Sequence, residues 1–473
     1  MRTEMFVGGR WMTGAASIPV ADPSTGENFA EVADGSPADA VRACEAAAAA
    51  QVAWAATPPR DRSEVLRRCW ETLVAHTDEL AALIVREHGK PLADATGEIA
   101  YAAEFFRWNA EETVRIHGSL GRAPSGANRI IVHHPPVGVV AMITPWNFPA
   151  AMITRKLAPA IGAGNAVVIK PAKETPLTAL RIAELLAEAG VPEGIVNVVP
   201  TSAAGPWFEA VVDHPAVRMI SFTGSTQVGR ALLRRSADRV LKAVMELGGD
   251  APFLVFDDAD LDAAVEGAMV AKMRHSAETC TAANRFLVQR GIAGAFTERL
   301  AEAMRAVRVG NGFEPGVTCG PMINRKEQQR VAELVGQSVD AGAEVVVGGG
   351  VIDGPGYFFQ PTVLSGLDPA SPLTHEEIFG PVAPIVTFDD AATAVRLAND
   401  TEMGLTAYVY TQDLRQGLAV SEQIQAGMVG LNRGTVSDPA APFGGMKQSG
   451  LGREGASEGI YEFCETQYIA TSW

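Results

Sequence analysis

The sequence predicts an α/β fold: two parallel sheets, each covered by helices on both faces and joined near residue 250, with a small β extension. Three observations predict it. Short apolar strands alternate with helices from residue 137 to 245. A second alternation of the same kind runs from 251 to 431. Two segments, 117–134 and 461–469, fit neither alternation and read as strands that pair with another subunit.

Residues 35–115 are rich in Ala, Glu, Arg and Leu at helical spacing. That spacing predicts helices over 37–56 and 61–88. Ser36 then Pro37 is a start signal: a capping hydroxyl, then proline at the first helical position. Asp61 and Ser63 are expected to cap the second helix. In the first alternation, strands are expected at 137–143, 166–170, 195–199, 218–222 and 239–245. Helices are expected between them at 150–161, 178–189 and 226–235. In the second, strands at 253–256, 285–289, 344–347, 383–388, 406–410 and 428–431 alternate with helices. Those helices fall at 261–274, 293–307, 326–341, 391–399 and 414–424. No fixed-period repeat appears.

Composition narrows the function. The chain has 473 residues, 47% apolar and 20% charged, which suits a globular core rather than disorder. A net charge of −16 argues against nucleic acid or an anionic membrane as partner, but not against an anionic small molecule. No apolar run reaches the ~18 residues of a membrane span. The start lacks the apolar core of a secretory signal. Cys44, Cys69, Cys280, Cys319 and Cys464 are far apart and form no CxxC, and the histidines form no HExxH. Neither a disulfide framework nor a metal site is expected, and a reducing cytoplasm is.

In open α/β sheets ligands bind beyond the carboxyl ends of the strands. Four strand ends in the first alternation carry distinctive residues: Thr144-Pro-Trp-Asn-Phe-Pro149, Lys170-Pro-Ala-Lys173, Thr223-Gly-Ser-Thr-Gln-Val-Gly229 and Glu246-Leu-Gly-Gly249. Glycine and proline make turns anywhere, but four such loops in one sheet point to a site. Gly224 to Gly229 opens a helix, where backbone N–H groups can meet a phosphate. It is neither GxGxxG nor GK[ST], so nucleoside triphosphate transfer is disfavoured. Lys170 closes a strand within reach of ribose or phosphate. Cys280 falls between a helix and a strand in polar company, unlike the other four cysteines, which read as structural.

Together with Glu278-x-Cys280, Glu377-Ile-Phe-Gly-Pro-Val and Pro442-Phe-Gly-Gly-Met-Lys-x-Ser-Gly450, these motifs resemble the aldehyde dehydrogenase superfamily over essentially the whole chain. Within it the chain looks most like the succinate-semialdehyde dehydrogenases. The resemblance implies two Rossmann-like domains plus an oligomerisation extension. Residues 1–116 and 138–248 would bind dinucleotide, and 249–455 would be catalytic. Residues 117–137 and 456–473 would supply the oligomerisation strands of a homodimer or homotetramer.

The resemblance also implies roles. Cys280 would be the nucleophile, passing through a thiohemiacetal and a thioester. Asn147 would hold the oxyanion, and Glu246 would activate the hydrolytic water. Trp146, Lys170, Gly224, Ser225, Gly229, Leu247, Glu377 and Phe379 would surround the dinucleotide. Lys173 stands where many NAD-using relatives have Glu, so NADP acceptance beside NAD is expected. Arg155, Arg274 and Ser437 would receive the distal carboxylate of a small aldehyde. Succinate semialdehyde from 4-aminobutyrate degradation is the expected substrate; glutarate semialdehyde or a general aliphatic aldehyde is the alternative. Glu246 argues against coenzyme A acylation. Two departures stand out. Ala277 and Glu278 replace the more usual Gly-Gln before the nucleophile, and a carboxylate there is expected to raise the thiol pKa. Ala282 replaces the second cysteine of a redox switch.

Overall fold

The computed structural model describes residues 2–472. Met1 and Trp473, the outer ends of the expected domain ranges, lie outside the described residues. An eight-stranded sheet runs in the order Gly450–Leu451, Lys242–Glu246, Val217–Thr223, Val139–Ile143, Ala166–Lys170, Val196–Val198, Met5–Val7 and Arg10–Met12. Its middle strands are parallel. The outer ones pair antiparallel. Val139–Ile143 and Ala166–Lys170 are wholly buried, as strands covered on both faces must be.

A seven-stranded sheet runs Glu344–Val347, Thr362–Ser365, Val382–Phe388, Ala283–Gln289, Ala251–Val255, Thr406–Tyr410 and Met428–Leu431. Only Glu344–Val347 is antiparallel to its neighbour. A third sheet pairs Gln467–Thr471 with Arg129–His133 and Ser119–Arg122. It leaves Leu120, Tyr468 and Ile469 exposed. Gly450–Leu451 returns to the first sheet, and Ile460, Phe463 and Cys464 join the first core. These residues lie in stretches expected to be catalytic or oligomerising.

Ser36 caps Pro37–Ala56 as expected, in a full capping box with Asp39. The helix expected over 61–88 is two helices, Pro59–Ala75 and Thr77–His88. Local side-chain bonds accompany the break. Thr77 Oγ1 donates to the Val74 carbonyl, and the His76 ring meets the Thr72 carbonyl. Neither Asp61 nor Ser63 caps it: Pro59 takes the first position, and Ser63 Oγ donates to the Ala110 carbonyl. The strand expected from 239 begins at Lys242, because Val240 is left-handed at φ 52°. The pairs Met5–Val7 with Arg10–Met12 and Ala16–Asp22 with Glu27–Asp34, the helix Ala204–Asp213 and the strand Thr362–Ser365 add to the expected elements.

The first sheet changes direction where it matters. Val139–Ile143 lies between Ala166–Lys170 and Val217–Thr223, so the loop Thr144 to Pro149 leaves at a topological switch point. Glu246 ends the neighbouring strand but one, and Ala251–Val255 then begins the second sheet.

Candidate active site

Cys280 is delivered by a strained turn. His275, Ser276 and Ala277 are consecutive left-handed residues with φ of 52°, 57° and 67°. Backbone conformations of this kind persist only when neighbours over-determine them. Asp94 accepts from the His275 N–H at 2.8 Å, and Ser276 Oγ accepts from the Gly320 N–H at 2.8 Å. Beyond the cysteine, Tyr408 Oη donates to the Thr281 carbonyl at 2.7 Å. Glu278 turns away from the thiol: its carboxyl accepts the Ile323 N–H at 3.0 Å and lies 3.6 Å from His88. Its carboxyl is pushed well up by burial. The thiol of Cys280 is pushed up to about 12 by burial, with Arg155 pulling the other way and Glu377 and Glu246 adding to the rise. Glu278 is not what raises it, contrary to expectation. The other four cysteines are buried; Cys280 keeps partial exposure.

That exposure arises because Cys280 lines two cavities at once. The first, about 750 Å³, is also lined by Tyr101, Phe148, Arg155, Arg274, Ser437 and Phe443. The second, about 1110 Å³, is lined by Trp146, Asn147, Gly224, Leu247, Glu377 and Phe379, among others. Asn147 is buried, with Nδ2 donating to the Glu278 carbonyl at 2.9 Å. An amide carries a second N–H, which leaves a donor beside Cys280. Lys90, paired with Glu98 at 2.6 Å, donates to the Asn147 carbonyl at 2.6 Å. Glu98 in turn accepts from Ala150 and Ala151, so one buried pair fixes the whole loop.

Glu246 is buried and neither carboxylate oxygen has a hydrogen-bond partner. Burial, then the Glu454 carboxylate, raise its carboxyl well above the usual range; Arg155, Lys156 and Arg453 oppose them. Arg155 is not a free cation. Its Nε lies 2.5 Å from Glu454, whose other oxygen accepts from Lys156. Its guanidinium stacks 3.8 Å from the Phe443 ring centroid, and Nη2 has no partner. Burial disfavours the Glu454 carboxylate, yet Lys156 and Arg155 together hold it below the usual range. Two cations sharing one carboxylate leave a net positive charge beside the first cavity. Arg274 is half-buried and donates to Thr435 Oγ1 at 3.0 Å.

The second cavity suits a dinucleotide. Thr223 Oγ1 and Asn147 Oδ1 are buried on its wall without partners, leaving polar atoms for a ligand. Trp146 and Phe379 meet edge to face at 5.4 Å. Ser225 caps the helix Thr226–Ala237, whose N-terminus lies at the cavity. Glu377 accepts from the Gly249 N–H at 3.3 Å; enclosure by protein pushes its carboxyl up to about 7. Three expected residues stand apart from this lining. Gly229 packs under Leu247, where a Cβ would come 2.4 Å from Leu247 Cδ2. Lys170 is buried, donates to the Pro171 carbonyl, and is brought down to about 8 by burial. Lys173 is exposed.

Glu454, Lys156 and Lys90 were not singled out from the sequence. Glu454 lies only four residues past the Pro442–Gly450 motif, but its partners are about 300 residues away.

The family model of the aldehyde dehydrogenase family matches residues 11–469. The chain belongs to the aldehyde dehydrogenase family. This aldehyde dehydrogenase is 53% identical to the succinate-semialdehyde dehydrogenase of Paenarthrobacter nicotinovorans, over 93% of this chain and 98% of that one. It is 46% identical to the glutarate-semialdehyde dehydrogenase of Pseudomonas putida, over 100% and 98% of the two chains. A solved NADP-dependent enzyme of E. coli superposes with a TM-score of 0.98 at 44% identity, over 100% and 98% of the two chains. Among the described residues of this aldehyde dehydrogenase, no cluster of His, Cys, Asp and Glu could hold a metal ion. Among the same residues, no helix is long and apolar enough to cross a membrane.

Proposed function

We propose that this aldehyde dehydrogenase oxidises succinate semialdehyde to succinate, with NADP or NAD as acceptor. One observation carries the reading. Cys280 stands where a cavity bearing Arg155 and Arg274 meets a cleft suited to a dinucleotide. Guanidinium groups one short chain away from a nucleophile select an aldehyde with a distal carboxylate. The Paenarthrobacter relative supports the same substrate class. Glutarate semialdehyde is the second reading: it offers the same carboxylate, and the Pseudomonas relative acts on it by name.

In this reading the thiol is neutral at rest, so carbon–sulfur bond formation is coupled to transfer of its proton to solvent water in the cavity it faces. The carbonyl oxygen becomes an oxyanion facing the free N–H of Asn147 and the backbone N–H of Cys280. A bound dinucleotide, held by Trp146, Gly224, Ser225, Glu377 and Phe379, would supply the hydride acceptor. Cys280 is then left acylated as a thioester. Glu246 takes a proton from the water that hydrolyses it. Lys90 and Glu98 keep Asn147 in place, and Glu454 holds Arg155 against the first cavity. Asn147→Ala should lower kcat by roughly 10²–10³, as measured by steady-state turnover.

Lys173 is exposed and able to meet a 2′-phosphate, and the E. coli relative supports NADP use. Lys173→Ala should raise KM for NADP roughly 10-fold and leave KM for NAD unchanged. The division into dinucleotide-binding, catalytic and oligomerisation parts belongs to the same proposal. So does a cytoplasmic homodimer or homotetramer acting on an aldehyde from 4-aminobutyrate degradation; the exposed third sheet supports self-association. Product identification tests the chemistry. Free succinate and reduced dinucleotide in equal amounts are expected. A coenzyme A thioester as product, or no reduction of either dinucleotide, contradicts it.

A further inference from the structure

We propose that Tyr101 is a substrate-specificity residue whose phenol hydroxyl donates a hydrogen bond to the distal carboxylate of the aldehyde. This deepens the semialdehyde reading above and rests on it. Tyr101 lies on the helix Leu92–Thr113 and lines the same cavity as Arg155, Arg274, Ser437 and Cys280. Its ring is held edge-on to Phe105, with centroids 4.9 Å apart. Its Oη is closed off from solvent and has no hydrogen-bond partner.

A buried hydroxyl without a partner is unfavourable, and phenylalanine would fill the same space without it. Neither carboxylate on the cavity wall accepts from it. Asp94 accepts from the His275 N–H, and Glu98 accepts from Lys90, Ala150 and Ala151. The cations that act on the phenol are Arg155 and Arg274. A carboxylate drawn to those cations arrives beside a phenol hydroxyl that, like Arg155 Nη2, lacks a partner. Arg155 is already bound to Glu454, so a neutral donor here adds recognition without adding buried charge. Burial raises the phenol's pKa, which keeps it a donor.

The test is Tyr101→Phe, with melting temperature as the folding control and Tyr101→Met as the second variant should the first not fold. Steady-state kinetics are run with succinate semialdehyde and butanal, and succinate is titrated as an inhibitor. The expected result is a roughly 10- to 100-fold loss in kcat/KM for succinate semialdehyde, mostly in KM. Butanal should change less than about two-fold, and succinate inhibition should weaken in parallel. Equal loss with both aldehydes, or no change with either, overturns the proposal. Arg274→Ala is measured alongside. A preference for succinate semialdehyde lost in Arg274→Ala but kept in Tyr101→Phe rejects Tyr101 alone. A wild-type enzyme with no preference rejects the semialdehyde reading and this proposal with it.

Discussion

Glu246→Gln is expected to release a single equivalent of reduced dinucleotide per subunit in a rapid burst and then almost stop. The substitution keeps the shape of the side chain and removes the base. Formation of the thioester on Cys280 does not need that base to take a proton from water; hydrolysis does. Loss of a positioned general base typically costs roughly 10²–10⁴ in rate, so steady-state turnover should fall by that factor. Stopped-flow detection of the burst separates the two halves of the reaction. A loss of the burst together with turnover would mean that Glu246 acts before acylation. The pH profile follows from the same burial. Glu246 is raised above its ordinary value, so it is neutral, and idle as a base, below that raised pKa. Deacylation should therefore quicken as pH rises through it, and the rise should vanish in Glu246→Gln.

Arg274→Ala should erase most discrimination between succinate semialdehyde and butanal. Removing one partner of a desolvated charge pair costs about 2–5 kcal/mol, or roughly two orders of magnitude in kcat/KM for the charged aldehyde. Butanal should be nearly unaffected. Arg274 is the cleaner test than Arg155. It donates one hydrogen bond to Thr435 and, among the described residues, forms no ion pair, so its truncation breaks no salt bridge. Truncating Arg155 would leave Glu454 short of a cation in a buried pocket, and stability would fall along with recognition.

Much of the site is legible because polar residues at strand ends are conspicuous against apolar strands. Trp146, Asn147, Gly224 and Glu246 follow buried runs such as Val139–Ile143, and the switch-point rule places those ends around one crevice. Cys280 stands out by its company, and Arg155 and Arg274 by resemblance. What is not legible depends on long-range packing. Nothing local shows that Glu454 lies between Arg155 and Lys156, or that Gly229 packs under Leu247. The left-handed turn at His275 has no glycine to announce it; a bond donated to Asp94 and one accepted from Gly320 hold it there. The fold shows the same division. Strands buried on both faces carry a strong signal, whereas the short edge strands Arg10–Met12 and Gly450–Leu451 exist through their neighbours.

The most direct measurement is kcat/KM for succinate semialdehyde, butanal and 4-aminobutanal, each with NAD and with NADP. A semialdehyde advantage of about 10²-fold or more over both others is expected from a desolvated carboxylate–guanidinium pair. Comparable values for butanal would contradict the account: Arg155 and Arg274 would then be structural, and only the general aldehyde dehydrogenase chemistry of Cys280 would stand.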